Sequence, residues 1–311
     1  YFKKIIIMNK LIIVSLLLFL IISKNLFAET SWITKKNDDK INKDESCTKK
    51  LSVEKLNIKS DYFIDIEDYD NAFKCSIYAA NKKDTYAEGS VGWFYKNGYG
   101  VDRDYDKAIE YIDRARKKGS DYARNLLADM YEKGLGVNKN ISKAISLYTK
   151  SANNGDDFAQ GELGYFYFYG EGVKENKKLA LYWFRKAAEQ GNTFSEKWVG
   201  HMLLNGDGDD VDYHNAFKFS KLAADKGDDF AQANLAYQYE YGLGIEKNIK
   251  KAVEYYELAS EQGNEYALDR LKKIKKRETI NDNEDSVVSS FITKKSNKKE
   301  TNNNEFISKA I

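Results

Sequence analysis

The sequence predicts an all-α solenoid, and three observations predict it. A block running from Asp84 to Gly119 returns in register at 120–155, 156–191, 192–227 and 228–263. Each block closes on a glycine, at Gly119, Gly155, Gly191, Gly227 and Gly263, a constant 36 residues apart. Inside each block, two apolar stripes of helical spacing are separated by a pair of glycines. A fixed period of this size belongs to folds in which every unit buries its apolar face against its neighbours. Charged residues make up 32% of the 311-residue chain, hydrophobic residues 42%, and the net charge is +2. That near-neutral balance lacks the basic footprint of a nucleic-acid binder.

Residues 1–28 read as an export signal. Met8-Asn9-Lys10 supplies a basic start, Leu11–Ile22 is apolar except for Ser15, and a cleavage region ends at Ala28. The apolar run is short for a membrane span. Leu26 is bulky for its place before the cut, so an uncleaved anchor is the alternative, and no cysteine follows closely enough for a lipoprotein. Residues 29–61 are rich in Lys, Asn and Asp and read as a flexible segment. From residue 62 the helical pattern begins. Tyr69, Ala72 and Ala79 sit one period before Tyr105, Ala108 and Ala115, so 68–82 reads as the second helix of an incomplete capping unit. At the other end 264–276 reads as a first helix, and the two half-units cap a solenoid spanning 62–276. The tail 277–311 has a disordered composition; Phe291-Ile292 and Phe306-Ile307 are its apolar spots.

Within a repeat, the first helix opens behind a short polar side chain, as at Ser120, Asp156, Asn192 and Asp228. Its stripe is aromatic, Ala, then Leu or Val, then usually Tyr, as in Tyr122, Ala123, Leu127 and Tyr131. It ends at Gly98, Gly134, Gly170, Gly206 or Gly242, with a second glycine two residues on. The second helix is capped by Asp104, Asn140, Asn176, Asp212 or Asn248. It carries a small residue, as at Ala108, and one turn later a large one: Tyr111, Leu147, Trp183, Phe219 or Tyr255.

These strings carry a resemblance. Leu163-Gly164, Tyr167, Gly170, Gly172-Val173 and Leu179–Ala188 with Gly191 resemble the Sel1-like repeat, a relative of the tetratricopeptide repeat. The resemblance covers 62–276. It implies a right-handed superhelix of five helix-turn-helix repeats with half-repeat caps, serving as a protein-interaction scaffold. In bacteria it further implies envelope processes or host contact. The family's motif fixes no binding residue.

Function is therefore sought where the copies disagree. One first-helix column reads Trp93, Asp129, Tyr165, His201, Tyr237. Three residues on, the second reads Lys96, Glu132, Phe168, Leu204, Glu240. In tetratricopeptide-like stacks the first helices line the concave surface, so Trp93, Lys96, Asp129, Glu132, Tyr165, Phe168, His201 and Tyr237 are candidates for a groove that takes a protein or peptide. The alternative is that Trp93, Tyr165 and Tyr237 pack against the next unit. In the fourth repeat the Asp207–Asp212 turn invites a cation, but it departs from the calcium-loop pattern, and an exposed acidic turn with Val211 taking over the apolar contact is the plainer reading. The histidines, His201 and His214, lie on different helices and have no cysteine partner, so no metal is expected. Cys47 and Cys75 are the two cysteines; in an oxidising compartment they form a disulfide, otherwise they are free thiols.

No catalytic constellation stands out. Ser46…Lys49, Ser52…Lys55 and Ser296…Lys299 have Ser-x-x-Lys spacing without the accompanying Ser-Asp-Asn or Lys-Thr-Gly elements. The sequence thus predicts a non-enzymatic, exported scaffold, periplasmic or secreted. It has a protein or peptide partner, no cofactor and no small-molecule substrate, and touches membrane only through an uncleaved signal. The alternatives are a cysteine-poor relative of the penicillin-binding, β-lactamase-like repeat proteins, and a structural envelope component.

Overall fold

The computed structural model describes residues 47–276, and among these every regular element is a helix. The leader proposed at 1–28 and the tail at 277–311 lie outside them. The chain divides between Leu147 and Tyr148 into two compact units, each taken by itself below.

The first unit holds α1 (Val53–Asp65), α2 (Tyr69–Ala80), α3 (Thr85–Asn97), α4 (Tyr105–Lys117) and α5 (Asp121–Lys133). The division falls within α6 (Ile141–Asn153). The second unit holds α7 (Asp157–Tyr169), α8 (Lys177–Ala188), α9 (Thr193–Asn205), α10 (Tyr213–Asp225), α11 (Asp229–Tyr241) and α12 (Ile249–Glu261), followed by α13 over 265–276. Helices adjacent in sequence pack in pairs, and first helices also touch first helices, as α3 does α5 and α9 does both α7 and α11. This is the nearest-neighbour logic of an all-α solenoid.

The punctuation works as its chemistry requires. Asp84, Ser120, Asp156, Asn192 and Asp228 each accept a backbone N–H three residues on, which satisfies an orphan donor of a first helix. Asp104, Asn140, Asn176, Asp212 and Asn248 do the same for second helices.

Two expectations are corrected here. Helix α1 starts inside the segment 29–61 that composition marks as flexible. Ser52 caps it, and Leu56 and Phe63 are buried with Lys59 and Ser60 between them. Polar residues on its inner face conceal the stripe. Ser60 Oγ is matched there by Ser76 Oγ at 2.7 Å and by the Ala72 carbonyl at 3.2 Å, both on α2. The second correction concerns the large residue of the second helix. Tyr111, Trp183 and Tyr255 are half-buried, whereas Ile112, Phe184 and Tyr256, one position later, are fully buried. Ile112 and Phe184 lie directly on the backbone of a first helix, at Gly92 and Gly164. A Cβ at Gly164 would stand 2.6 Å from Phe184 Cδ1, and one at Gly92 2.5 Å from Ile112 Cγ1. Glycine there lets the paired helices close.

The structure joins Cys47 and Cys75 in a disulfide, with Cα atoms 5.3 Å apart and both residues buried in the first unit's core. No helix among the described residues is long and apolar enough to cross a membrane.

Candidate functional site

The leading aromatic of the first-helix stripe does not enter the core as its spacing predicts. Tyr86, Tyr122, Phe158 and Tyr266 are exposed, and Phe194 and Phe230 are half-buried. In the second unit this column joins other rings into one surface across α7, α9 and α11. Tyr165 lies 4.7 Å from Tyr169 and 6.5 Å from Phe194, measured between ring centroids. Phe168 lies 4.8 Å from Trp198, which in turn reaches His201 at 5.8 Å and Phe230 at 6.1 Å. Tyr237 stands 4.7 Å from Tyr241. Tyr169 and Tyr241 are 53% and 47% exposed, so the rings rest on the core and present their edges to solvent. Half-buried aromatics held rigidly in this way suit the anchor residues of a protein interface.

The sequence-predicted residues separate by unit. In the second unit Tyr165, Phe168 and Tyr237 pack against the cluster around Phe184, Val199 and Met202, and His201 joins the surface through Trp198 and Phe230. In the first unit Trp93 packs against both core clusters and sits 5.1 Å from the Phe94 and Tyr99 rings. Lys96 and Asp129 are engaged with each other in an ion pair, with side chains 11% and 14% exposed, and Lys133 joins them. Burial opposes the Asp129 charge, but Lys133 and Lys96 outweigh it and hold the carboxyl below its ordinary range. Glu132 is half-buried. Leu204 and Glu240 of the same columns are buried outright. The columns therefore supply structure as well as surface. Spacing alone leaves Trp198, Phe194, Phe230 and the exposed tyrosines out of the site; the recurring leading aromatic is the signal for Phe194 and Phe230, while Trp198 stands in a column that carries no other aromatic.

The acidic turn is occupied by its own chain. Asp207 pairs with Lys177 at 2.6 Å, Asp209 with Arg185 at 3.3 Å, and Asp212 caps α10. Val211 is 47% exposed and does not bury itself as the sequence predicts. Among the described residues no three His, Cys, Asp or Glu side chains are grouped to hold a metal.

Burial lowers the pKa of His201 from its ordinary 6.5; Asp207 raises it and Lys177 lowers it further. The unfolded chain then takes up the proton first as pH falls, so stability should decline below about pH 6.5. His201→Gln should flatten that part of the profile. Urea midpoints at about pH 7.5 and 5.5 for both proteins check this, and identical pH slopes would refute it.

A family model for the Sel1 repeat matches residues 86–120, 121–156, 157–192, 195–228 and 229–264, more than half of the chain. The chain is a Sel1-repeat protein. The family consists of generally non-enzymatic scaffolds that commonly mediate protein interactions. Its repeats resemble those of c5321, a protective antigen present in uropathogenic Escherichia coli strains and displaying an SLR fold, at 28% identity and a TM-score of 0.61. That match covers 70% of this chain and 48% of the antigen, so the Sel1-repeat chain spans about half the antigen's length. A Sel1-repeat protein from Oxalobacter formigenes matches at 29% identity and a TM-score of 0.61, over 70% of this chain and 87% of that one. No curated protein matches the chain.

Proposed function

We propose that this Sel1-repeat protein is an exported scaffold that captures a protein or peptide partner on the first-helix face of its second unit. The observation carrying this reading is the continuous run of rings from Tyr165 through Trp198 to Phe230, with Tyr169 and Tyr241 exposed at its edge. Export is supported by the leader-like residues 1–28 and by the Cys47–Cys75 pairing, since disulfides persist in oxidising compartments. Non-reducing mass mapping of protein from its native cells should recover the Cys47–Cys75 peptide, and finding both thiols free would count against export.

Trp93 is a poor probe of capture because its removal opens two core clusters. Tyr169 and Tyr241 are better. The double variant Tyr169→Ser/Tyr241→Ser should lose most of the partner recovered by in-cell crosslinking while Tm moves by no more than a few degrees, each about 1 kcal/mol costing roughly 2–4 °C in a protein of this size. Undiminished recovery of the same partners would overturn the assignment of this face.

A further inference from the structure

The ring surface contains a pocket, and the repeat itself explains why it is there. It has a volume of about 480 Å³ and lies between α9, α11 and the start of α13. Trp198 on α9 has Phe168, Tyr169, Phe194, His201 and Phe230 among its ring neighbours. One period further along stand Leu204, Asn205, Phe230, Tyr237 and Tyr266, and all of them line the pocket. The residue one period after Trp198 is Asn234. The pocket is therefore the place an indole occupies in the preceding repeat, left open because position 234 carries a short amide.

The polar groups of the wall are mostly spent. Asn264 donates to Asp229 Oδ2 at 3.0 Å and accepts from the Ala267 N–H at 3.0 Å. Asn205 Nδ2 donates to the His201 carbonyl at 2.9 Å. Asn234 Nδ2, in contrast, is buried without a hydrogen-bond partner. A buried orphan donor is costly to leave unmade, and the Asn234 amide gains a partner if it turns outward to meet a carbonyl in the pocket. None of the lining residues is Lys, Arg, Asp or Glu, so a charged ligand group would lose its hydration without compensation.

We propose that this pocket takes one uncharged aromatic side chain of a partner peptide, tryptophan best, seated against Phe230 and Tyr237 as Trp198 is seated one repeat earlier. A carbonyl of the same peptide accepts from the Asn234 amide, which turns into the pocket to meet it. The proposal rests on the partner-capturing reading of this face and gives that partner its chemistry.

The test uses the full chain and capped tripeptides, N-acetyl-Gly-Trp-Gly-amide against its Leu, Glu and Lys counterparts, titrated by calorimetry or NMR. The Trp peptide should bind saturably and at least about tenfold more tightly than the others, a difference of about 1.4 kcal/mol. Asn234→Trp refills the pocket with the preceding repeat's own residue and should abolish binding. Asn205→Tyr, at an exposed position, restores the ring that Tyr169 supplies one repeat earlier and should weaken binding severalfold; it serves if Asn234→Trp fails to fold. No preference for the Trp peptide, or binding indifferent to whichever of these variants folds, overturns the pocket assignment. Those outcomes leave partner capture through Tyr169 and Tyr241 standing, and loss of capture in that double variant leaves the tripeptide result to be judged by itself.

Discussion

Gly244→Ala should be among the most damaging single-methyl additions to this protein, costing about 2–5 kcal/mol. Gly244 has φ +74°, and a Cβ built on it would lie 2.0 Å from the Tyr213 carbonyl oxygen and 2.4 Å from its carbon. Those atoms are backbone at the start of α10, whose first turn is fixed by the Asp212 cap, so no side chain can swing aside. The left-handed conformation alone costs a non-glycine residue about 1–2 kcal/mol, and forcing atoms into a packed contact adds roughly 1–3 kcal/mol. Gly227 is the control. Its φ is +93°, but a Cβ there meets nothing within 4 Å. Gly227→Ala should therefore show the conformational cost alone, about 1–2 kcal/mol. Urea denaturation of the two variants measures the gap, and equal losses would show that the approach of Gly244 to α10 does not matter.

In sequence those two glycines look alike, since both recur every 36 residues and both punctuate helices. The period tells which positions are equivalent; it does not tell which neighbour each one meets. That is why the helix caps and turns were legible to the residue, while the depth of each side chain was not. Caps are local chemistry, decided within four residues. Burial is decided between repeats. The leading aromatics show the difference: Tyr122 has core spacing and lies at the surface, while Glu240 reads as a surface column and lies inside. One non-local feature was nonetheless readable. Glu88 pairs with Lys118 and Glu196 with Lys226, and where the first member is Gln160 or Gln232 the second is Gln190 or Gln262. All four first members are buried. A buried carboxylate needs a cation and a buried amide needs an amide, so in these four copies the two positions change together at a spacing of 30 residues, while the copy with Arg124 and Asn154 follows neither pairing. Comparing copies within the chain exposes that coupling.

The same comparison fails at Glu240, and the failure marks the second large effect. Glu240 is 4% exposed and accepts from Tyr256 Oη at 3.0 Å and Arg270 Nε at 3.2 Å, with Arg270 Nη2 bonding both Glu240 and Tyr241. Tyr256 is fully buried, and burial together with the adjacent carboxylate holds its phenol well above the ordinary range. Tyr241 is 47% exposed, so it is the Glu240, Tyr256 and Arg270 bonds that fasten α13 to α11. Glu240→Leu would leave a mostly buried guanidinium and a buried hydroxyl without their acceptor, at a cost of about 3–5 kcal/mol. Arg270→Met should cost a similar amount at neutral pH, because it strands the carboxylate. There the sign of the pH dependence is diagnostic. Burial without a cation penalises the charged carboxylate in the folded variant, so Arg270→Met should regain stability as pH falls from 7 toward 5. Glu240→Leu has no such carboxylate and should not recover. Combining Glu240→Leu, Arg270→Met and Tyr256→Phe removes every stranded group and should cost far less than the single losses summed. Thermal melts with hydrogen exchange over 265–276 measure both; strictly additive losses and a flat Arg270→Met profile would mean that the pairing does not hold α13 in place.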